Sequence, residues 1–291
     1  MRPPRHRSDR AAPIGVFDSG IGGLSVLQAL RAALPGEDIV YIADSAHTPY
    51  GERSDAFIAE RSLVIAEQLR DTHGAKLLVI ACNTASAAAA ERLRQDNPGW
   101  PIVAIEPALK PAARATRSGH VGVLATRSTL GSNKFAALRR STIDTHPDLR
   151  ISTLAADGLA AAIEHWAQSG DERACGALLD RYLGQLLAAP DVPAPIDRLV
   201  LGCTHYPLLR PQIARRLPPG VELVDAGLPV ARQAQRLLHA TGLLRFTSTH
   251  AVTPPAGRLE LLATGSGDIL QAAAERCLSA PPVPTVRTLA A

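Results

Sequence analysis

The chain repeats a strand-plus-cysteine cassette, and that repetition constrains its fold more than any other feature. Residues 197–204 (DRLVLGCT) resemble residues 75–83 (AKLLVIACN), so two apolar runs each end on a cysteine followed by a polar residue. Residues 120–125 (HVGVLA) likewise resemble residues 13–17 (PIGVF). Cys82 and Cys203 stand 121 positions apart, and Gly15 and Gly122 stand 107 apart. Two matches in the same order at unequal spacing indicate two related units with loops of different length.

Within each unit, strand-like and helix-like periods alternate. Residues 14–17 read as a buried strand, Gly20, Gly22 and Gly23 as a turn, and Leu24, Leu27 and Leu30 as a helix stripe. Further strands are expected at 38–42, 76–81 and 102–105. Helices are expected at 56–70, with Phe57, Leu63, Val64, Ala66 and Leu69 inward, and at 86–95. Such alternation points to parallel α/β sheets. Beyond the second cysteine, residues 221–224 read as a strand, 229–241 as a helix, and 259–262 and 268–278 as a late strand–helix unit. The expected organisation is a disordered basic tail (1–12), a first α/β domain (13–108 plus 220–280), a second α/β domain (109–219) and a tail (281–291). The two domains would be pseudo-symmetric, each with a mainly parallel sheet flanked by helices, with the active site in the cleft between them.

Composition removes several classes of function. Of the net charge of +4, the first ten residues carry +3, from Arg2, Arg5, Arg7 and Arg10 against Asp9. The remainder is nearly neutral and lacks the basic face that nucleic acid would select. No apolar core of a signal peptide follows the tail. The longest weakly polar run, residues 77–90, is broken by Asn83, Thr84 and Ser86 and is too short to span a bilayer. A soluble cytoplasmic protein with no membrane partner is expected. The three lysines, Lys76, Lys110 and Lys134, sit outside every motif, which disfavours a cofactor held as an aldimine. Cys82, Cys175, Cys203 and Cys277 form no CxxC pair and read as free thiols. A zinc site from Cys82, Cys203 and His205 would lack the local ligand pairs such sites use. No metal and no cofactor are expected.

Three motifs carry chemistry, and each ends a strand, where open α/β sheets bind ligands. The run 17–23 (FDSGIGG) puts Asp18 beside a glycine turn and a helix N-terminus, a place suited to an anionic ligand or to a simple helix cap. It fits neither the phosphate-loop nor the dinucleotide pattern. In residues 81–86 (ACNTAS), Cys82 opens a helix, which lowers a thiol pKa, or else is a buried structural cysteine. In residues 202–207 (GCTHYP), His205 lies two positions from Cys203, compatible with covalent thiol catalysis or with acid–base chemistry. Duplication separates these readings. A thiol hydrolase needs one cysteine, whereas a racemase needs a base on each face of one carbon. Asp18 near one thiol and His205 near the other would tune them.

At these positions the chain resembles the glutamate racemases of the aspartate/glutamate racemase superfamily. The matching stretches are 14–23 (IGVFDSGIGG), 41–51 (YIADSAHTPYG), 79–86 (VIACNTAS), 105–107 (IEP), 121–126 and 199–207 (LVLGCTHYP). The resemblance implies a two-domain α/β fold, no cofactor, glutamate as substrate and a role in supplying D-glutamate for peptidoglycan. It makes Cys82 and Cys203 the acid/base thiols, acting on the D- and L-enantiomer respectively. Asp18, Ser19, Asn83, Thr84, Thr204 and His205 would hold substrate or tune the thiols, and Tyr50 and Gly51 would contact the side-chain carboxylate. Many relatives carry a Cys-Pro segment where this chain reads Ala155-Ala156-Asp157-Gly158, a departure that touches no catalytic base. An aspartate or hydantoin racemase with the same cysteine pair is the nearest alternative, and a catalytically inactive acidic-ligand or protein-binding module the alternative of another class. A homodimer is compatible with the sequence.

Overall fold

The structure, a computed structural model, describes residues 9–188, 194–245, 256–278 and 283–289. The first unit runs β1 (Ile14–Asp18), α1 (Leu24–Ala33), β2 (Ile39–Ala43), α2 (Asp55–Glu67), β3 (Leu77–Ile80), α3 (Asn83–Asp96) and β4 (Ile102–Ala104). The second runs α4 (Leu109–Ala115), β5 (His120–Ala125), α5 (Arg127–Gly131), α6 (Asn133–Thr145), β6 (Arg150–Ala155), α7 (Leu159–Ser169), α8 (Arg173–Leu187), β7 (Arg198–Leu201), α9 (Arg210–Ala214) and β8 (Glu222–Val224). The chain then returns through α10 (Gly227–Ala240), β9 (Leu259–Ala263), α11 (Asp268–Cys277) and β10 (Arg287–Thr288).

The internal repeat is a repeat of topology. One sheet has the order β10-β9-β2-β1-β3-β4 and the other β6-β5-β7-β8, and every pairing is parallel. The core of the first, β2-β1-β3-β4, maps onto the whole of the second. Registers agree as well: Gly15 lies opposite Leu78, and Gly122 lies opposite Leu199. The central strands β1, β3, β5 and β7 are buried along their whole length, as near-continuous apolar runs in parallel sheets must be. Crossover helices cover both faces, and the strand ends that carry the cysteines point to one region.

Several expectations change. The strand at 221–224 was assigned to the first domain, but β8 pairs with β7 and so completes the second sheet. It is the counterpart of β4, and the return to the first sheet comes after it, with α10 packing on α1. Residues 9–12 of the expected disordered tail are ordered: Asp9 caps a turn, Arg10 Nε donates to the Gly242 carbonyl at 2.9 Å, and Lys76 Nζ donates to the Arg10 carbonyl. Residues 1–8 lie outside the described residues. In the expected C-terminal tail, β10 adds an edge strand to β9. Helix α2 buries Ile58, Ser62, Ile65 and Ala66, while Val64 is exposed and Phe57 and Leu63 are half-buried. Its last turn widens into a π-helical turn (Gln68–Thr72) that keeps Leu69 inward. Helix α3 begins at Asn83, three residues earlier than expected, and this makes Cys82 its N-cap. Among the described residues no helix is long and apolar enough to cross a membrane.

At the foot of the first sheet, away from the cysteines, Lys76 pairs with Glu37, both side chains being almost fully buried. Removing one member of such a pair strands the other charge in a dry site. Lys76→Met is therefore expected to lower the unfolding free energy by about 3–5 kcal/mol, measured by urea denaturation. A loss under about 1 kcal/mol would mean that water relieves Glu37.

Candidate active site

The three motifs meet in one cleft of about 610 Å³ between the sheets, open to solvent on one side. Ser19, Tyr50, Gly51, Cys82, Asn83 and Thr84 line it from the first domain. Thr126, residues 156–158, Cys203, Thr204 and His205 line it from the second. Cys82 follows β3 and Cys203 follows β7, each two residues past the strand, so equivalent strand ends bring the two thiols to one space from opposite domains. Both are buried, with 5% and 7% exposure, which keeps bulk water from competing for a proton.

The glycine motif has a different role from the one its sequence suggests. Its amides do not form an open anion cradle. Ile21 N donates to Glu164 Oε1 of the second domain at 3.0 Å, and Gly20 N donates to Asp18 Oδ1 at 3.2 Å. A Cβ on Gly20 would lie 2.1 Å from Glu164 Oε1, and one on Gly22 would lie 2.4 Å from His205 Nδ1. Both glycines are therefore required by the close approach of the opposite domain. Asp18 is fully buried behind the cleft wall and lines none of it, although contact with substrate was expected. Its carboxylate accepts from Ser19 Oγ at 3.0 Å and, across the domain junction, from Thr204 Oγ1 at 2.9 Å. Ser25 Oγ adds a third crossing bond, to the Thr204 carbonyl at 2.9 Å.

The two thiols have unlike surroundings. Cys82 Sγ accepts from the Ala85 amide at 3.4 Å in the first turn of α3 and lies 3.8 Å from Ser19 Oγ. The helix N-terminus was expected to lower its pKa. Burial and then the Asp18 carboxylate dominate instead, and they push the thiol up to about 12. Cys203 Sγ lies 3.7 Å from His205 Nδ1, and His205 Nε2 lies 2.7 Å from Glu164 Oε1. Burial alone would disfavour the imidazolium. The hydrogen bonds and charges of Cys203 and Glu164 outweigh it, so His205 titrates well above the ordinary histidine range. Burial also raises Asp18 above the usual carboxylate value, against the opposing effects of His205 and its hydrogen-bond donors.

Other cleft residues supply polar contacts. Thr84 Oγ1 and Thr126 Oγ1 approach to 3.4 Å across the junction, and Asn83 Oδ1 is buried without a partner. Tyr50 and Gly51 form the far wall. Two residues of the site were missed in the sequence. Thr126 lies in a matched stretch, and its place at the end of β5 was the available signal. Glu164 was a single acid on the inward face of an Ala-rich helix, and its partners, His205 within the second domain and Ile21 across the junction, are set only by the fold. None of the three lysines lines the cleft. No group of three His, Cys, Asp or Glu side chains able to hold a metal occurs among the described residues.

The geometry can be set beside known proteins. A family model described as Asp/Glu/Hydantoin racemase matches residues 14–234. A glutamate racemase of Pseudomonas syringae pv. tomato is 51% identical over 236 residues, covering 80% of this chain and 81% of that one. One of Pseudomonas aeruginosa is 49% identical over 245 residues, covering 84% and 87%. Among solved structures, glutamate racemase isoform RacE1 from Bacillus anthracis superposes with a TM-score of 0.79 at 30% identity, covering 97% of this chain and 98% of that one. The Escherichia coli enzyme in complex with L-glutamate and the activator UDP-MurNAc-Ala gives 0.76 at 32% identity, covering 96% and 98%. The Francisella tularensis enzyme in complex with D-glutamate gives 0.76 at 28% identity, covering 97% and 98%. With the matched model spanning both cysteine cassettes and the two-sheet architecture shared end to end, this chain belongs to the Asp/Glu/Hydantoin racemase family.

Proposed function

We propose that the cleft interconverts L-glutamate and D-glutamate by moving the Cα proton between two thiols, and so supplies D-glutamate for peptidoglycan. The observation that carries this reading is the arrival of Cys82 and Cys203 in one buried cleft from equivalent strand ends of two related domains. The glutamate racemases named above support the choice of substrate. With L-glutamate, the Cys203 thiolate takes the α-proton, and the Cys82 thiol delivers its own proton to the opposite face. Cys203 ends as thiol and Cys82 as thiolate. D-glutamate runs the same steps in reverse.

The surrounding groups fit this sequence. An imidazolium at His205, held by Glu164, stands 3.7 Å from the Cys203 sulfur. Burial and then the Asp18 carboxylate favour a proton on Cys82. The substrate ammonium brings a positive charge that offsets Asp18 and eases formation of the second thiolate. Asn83 Oδ1 can accept from that ammonium. The Thr84 hydroxyl can donate to the α-carboxylate, whereas Ser19 and Thr204 donate theirs to Asp18 and Thr126 donates to Thr129, and Tyr50 and Gly51 bound the space for the side-chain carboxylate. Holding both ends fixes Cα between the sulfurs, where orientation contributes most.

Each thiol is expected to be separately necessary, because a serine hydroxyl is too weak an acid to serve near neutral pH. Cys82→Ser and Cys203→Ser should each lose at least roughly a thousandfold in kcat, about 4 kcal/mol of barrier. Cys175→Ser and Cys277→Ser should be nearly silent in a coupled D/L-glutamate assay without added cofactor.

His205→Asn keeps a hydrogen-bonding side chain but cannot hold a proton. A loss of about tenfold to a thousandfold in kcat is expected, smaller than for Cys203→Ser. Stability should follow the same group. A histidine raised in the folded state stabilises fully below its unfolded pKa of about 6.5, and this contribution is lost as pH rises through the folded value. The difference in unfolding free energy between wild type and His205→Asn should therefore be largest below about pH 6.5 and shrink on the alkaline side. A difference that grows with pH would mean that His205 is neutral in the native protein.

Deuterium incorporation tests the two-base geometry. Between turnovers the thiols exchange with solvent, whereas in the occupied cleft Cys203 keeps the proton it has taken, so the proton that Cys82 delivers comes from water. In D2O, early D-glutamate made from L-glutamate should carry one deuterium at Cα, while recovered L-glutamate stays largely unlabelled. Equal early labelling of substrate and product would indicate a single base or a freely exchanging carbanion.

A further inference from the structure

A buried carboxylate outside the proton-transfer machinery organises one wall of the cleft. Asp44 follows β2 and is completely buried. Arg61, in the middle of α2, holds it with a two-point fork, Nη2 to Oδ1 at 2.8 Å and Nε to Oδ2 at 3.0 Å. The remaining acceptor capacity is taken by the segment that follows and by β9. Tyr50 OH donates to Oδ2 at 2.5 Å, Thr264 Oγ1 donates to Oδ1 at 2.8 Å, and His47 Nδ1 lies 3.0 Å from Oδ1. The Asp44 amide is fixed in turn by the Asp18 carbonyl at 2.9 Å, which ties the whole group to β1.

We infer that Arg61, acting through Asp44, is a positioning residue that sets the Tyr50–Gly51 wall against the substrate's side-chain end and so governs affinity rather than proton transfer. The inference rests on the racemase reading of the cleft. Its physical basis is the supply of hydrogen bonds. Tyr50 has spent its hydroxyl on Asp44, so Tyr50 and Gly51 can meet an anionic substrate end only through backbone amides and the ring face. Backbone amides bind well only when their direction is fixed. The segment 45–52 consists of two short 3-10 turns, Ser45–His47 and Tyr50–Glu52, with few internal bonds of their own. A fully buried carboxylate needs a matched cation to stay charged, and Arg61 supplies a planar fork that no other cation reproduces. Hydrogen bonding by Arg61 and Tyr50 keeps Asp44 ionised below the usual carboxylate range despite its burial.

The test combines kinetics with hydrogen–deuterium exchange on the full chain. Arg61→Met is expected to raise KM for L- and D-glutamate by about tenfold or more while kcat changes by less than about threefold. Exchange should quicken in residues 45–52 and stay unchanged in β1 and α3. Arg61→Lys, which keeps charge without the fork, should fall between Arg61→Met and wild type in both readouts, and it serves where Arg61→Met folds poorly. An unchanged exchange rate in residues 45–52, or acceleration spread over the first domain, would overturn the positioning role. A fall in kcat at constant KM would do the same. Wild-type protein that fails to racemise glutamate would instead count against the proposed function. In that event the exchange pattern still decides whether Arg61 orders this wall.

Discussion

The buried polar contact between the domains, made at the glycine turn after β1, is the constraint on which the site depends. Asp18 of the first domain and Thr204 of the second share a hydrogen bond, and Glu164 of the second accepts from Ile21 of the first. These groups are buried, and each would be costly without its partner. The domains must therefore seat in one relation. That relation places Cys82 and Cys203 on opposite walls and aims His205 at Cys203. Side chains on the turn would force the domains apart, which explains the bare backbone at Gly20 and Gly22. The same residues that close the molecule also tune its thiols, since Asp18 acts on Cys82 and Glu164 on His205.

Much of this was legible in the chain, for identifiable reasons. Parallel strands buried on both faces leave continuous apolar runs, so β1, β3, β5 and β7 and the polar residues at their ends could be read directly. The duplication showed because the central strands keep their register relative to each other. Features that depend on long-range partners did not show. The strand at 222–224 is short and half-exposed, and only its pairing with β7 assigns it to the second sheet. The glycine turn suggested a ligand cradle because its amides look free until Asp18 takes that of Gly20 and Glu164 of the second domain takes that of Ile21. Glu164 and Arg61 are single charges on amphipathic helices, and sequence alone does not separate a buried, partnered charge from a solvated one. The thiol pKa at Cys82 was misjudged for a similar reason: a helix N-terminus is local and visible, whereas desolvation and Asp18 come from the assembled fold.

The pseudo-symmetry of the backbone is not carried into the electrostatics. Cys82 faces a carboxylate one layer behind it, while Cys203 faces an imidazole backed by a carboxylate. Burial and Asp18 favour a proton on Cys82, and the His205 cation stands beside Cys203. Under the proposed two-thiol mechanism this arrangement suits L-glutamate, for which Cys203 would be the base and Cys82 the acid.

This asymmetry cannot favour one direction overall. Enantiomers have equal free energy in water, so the equilibrium constant for racemisation is one. It follows that kcat/KM must be the same in both directions at every pH, whatever the thiol environments. Unlike surroundings can only divide that common value differently between kcat and KM. Under the proposed mechanism, each turnover from L-glutamate leaves the proton on Cys203, and it must return to Cys82 before the next. In the proposed mechanism His205 and Asp18 would set the free energy of that return as well as the ease of each transfer at carbon. The unequal pair is thus best understood as a means of storing one proton in a known place between turnovers. Two identical thiols in a dry cleft would leave its position undefined.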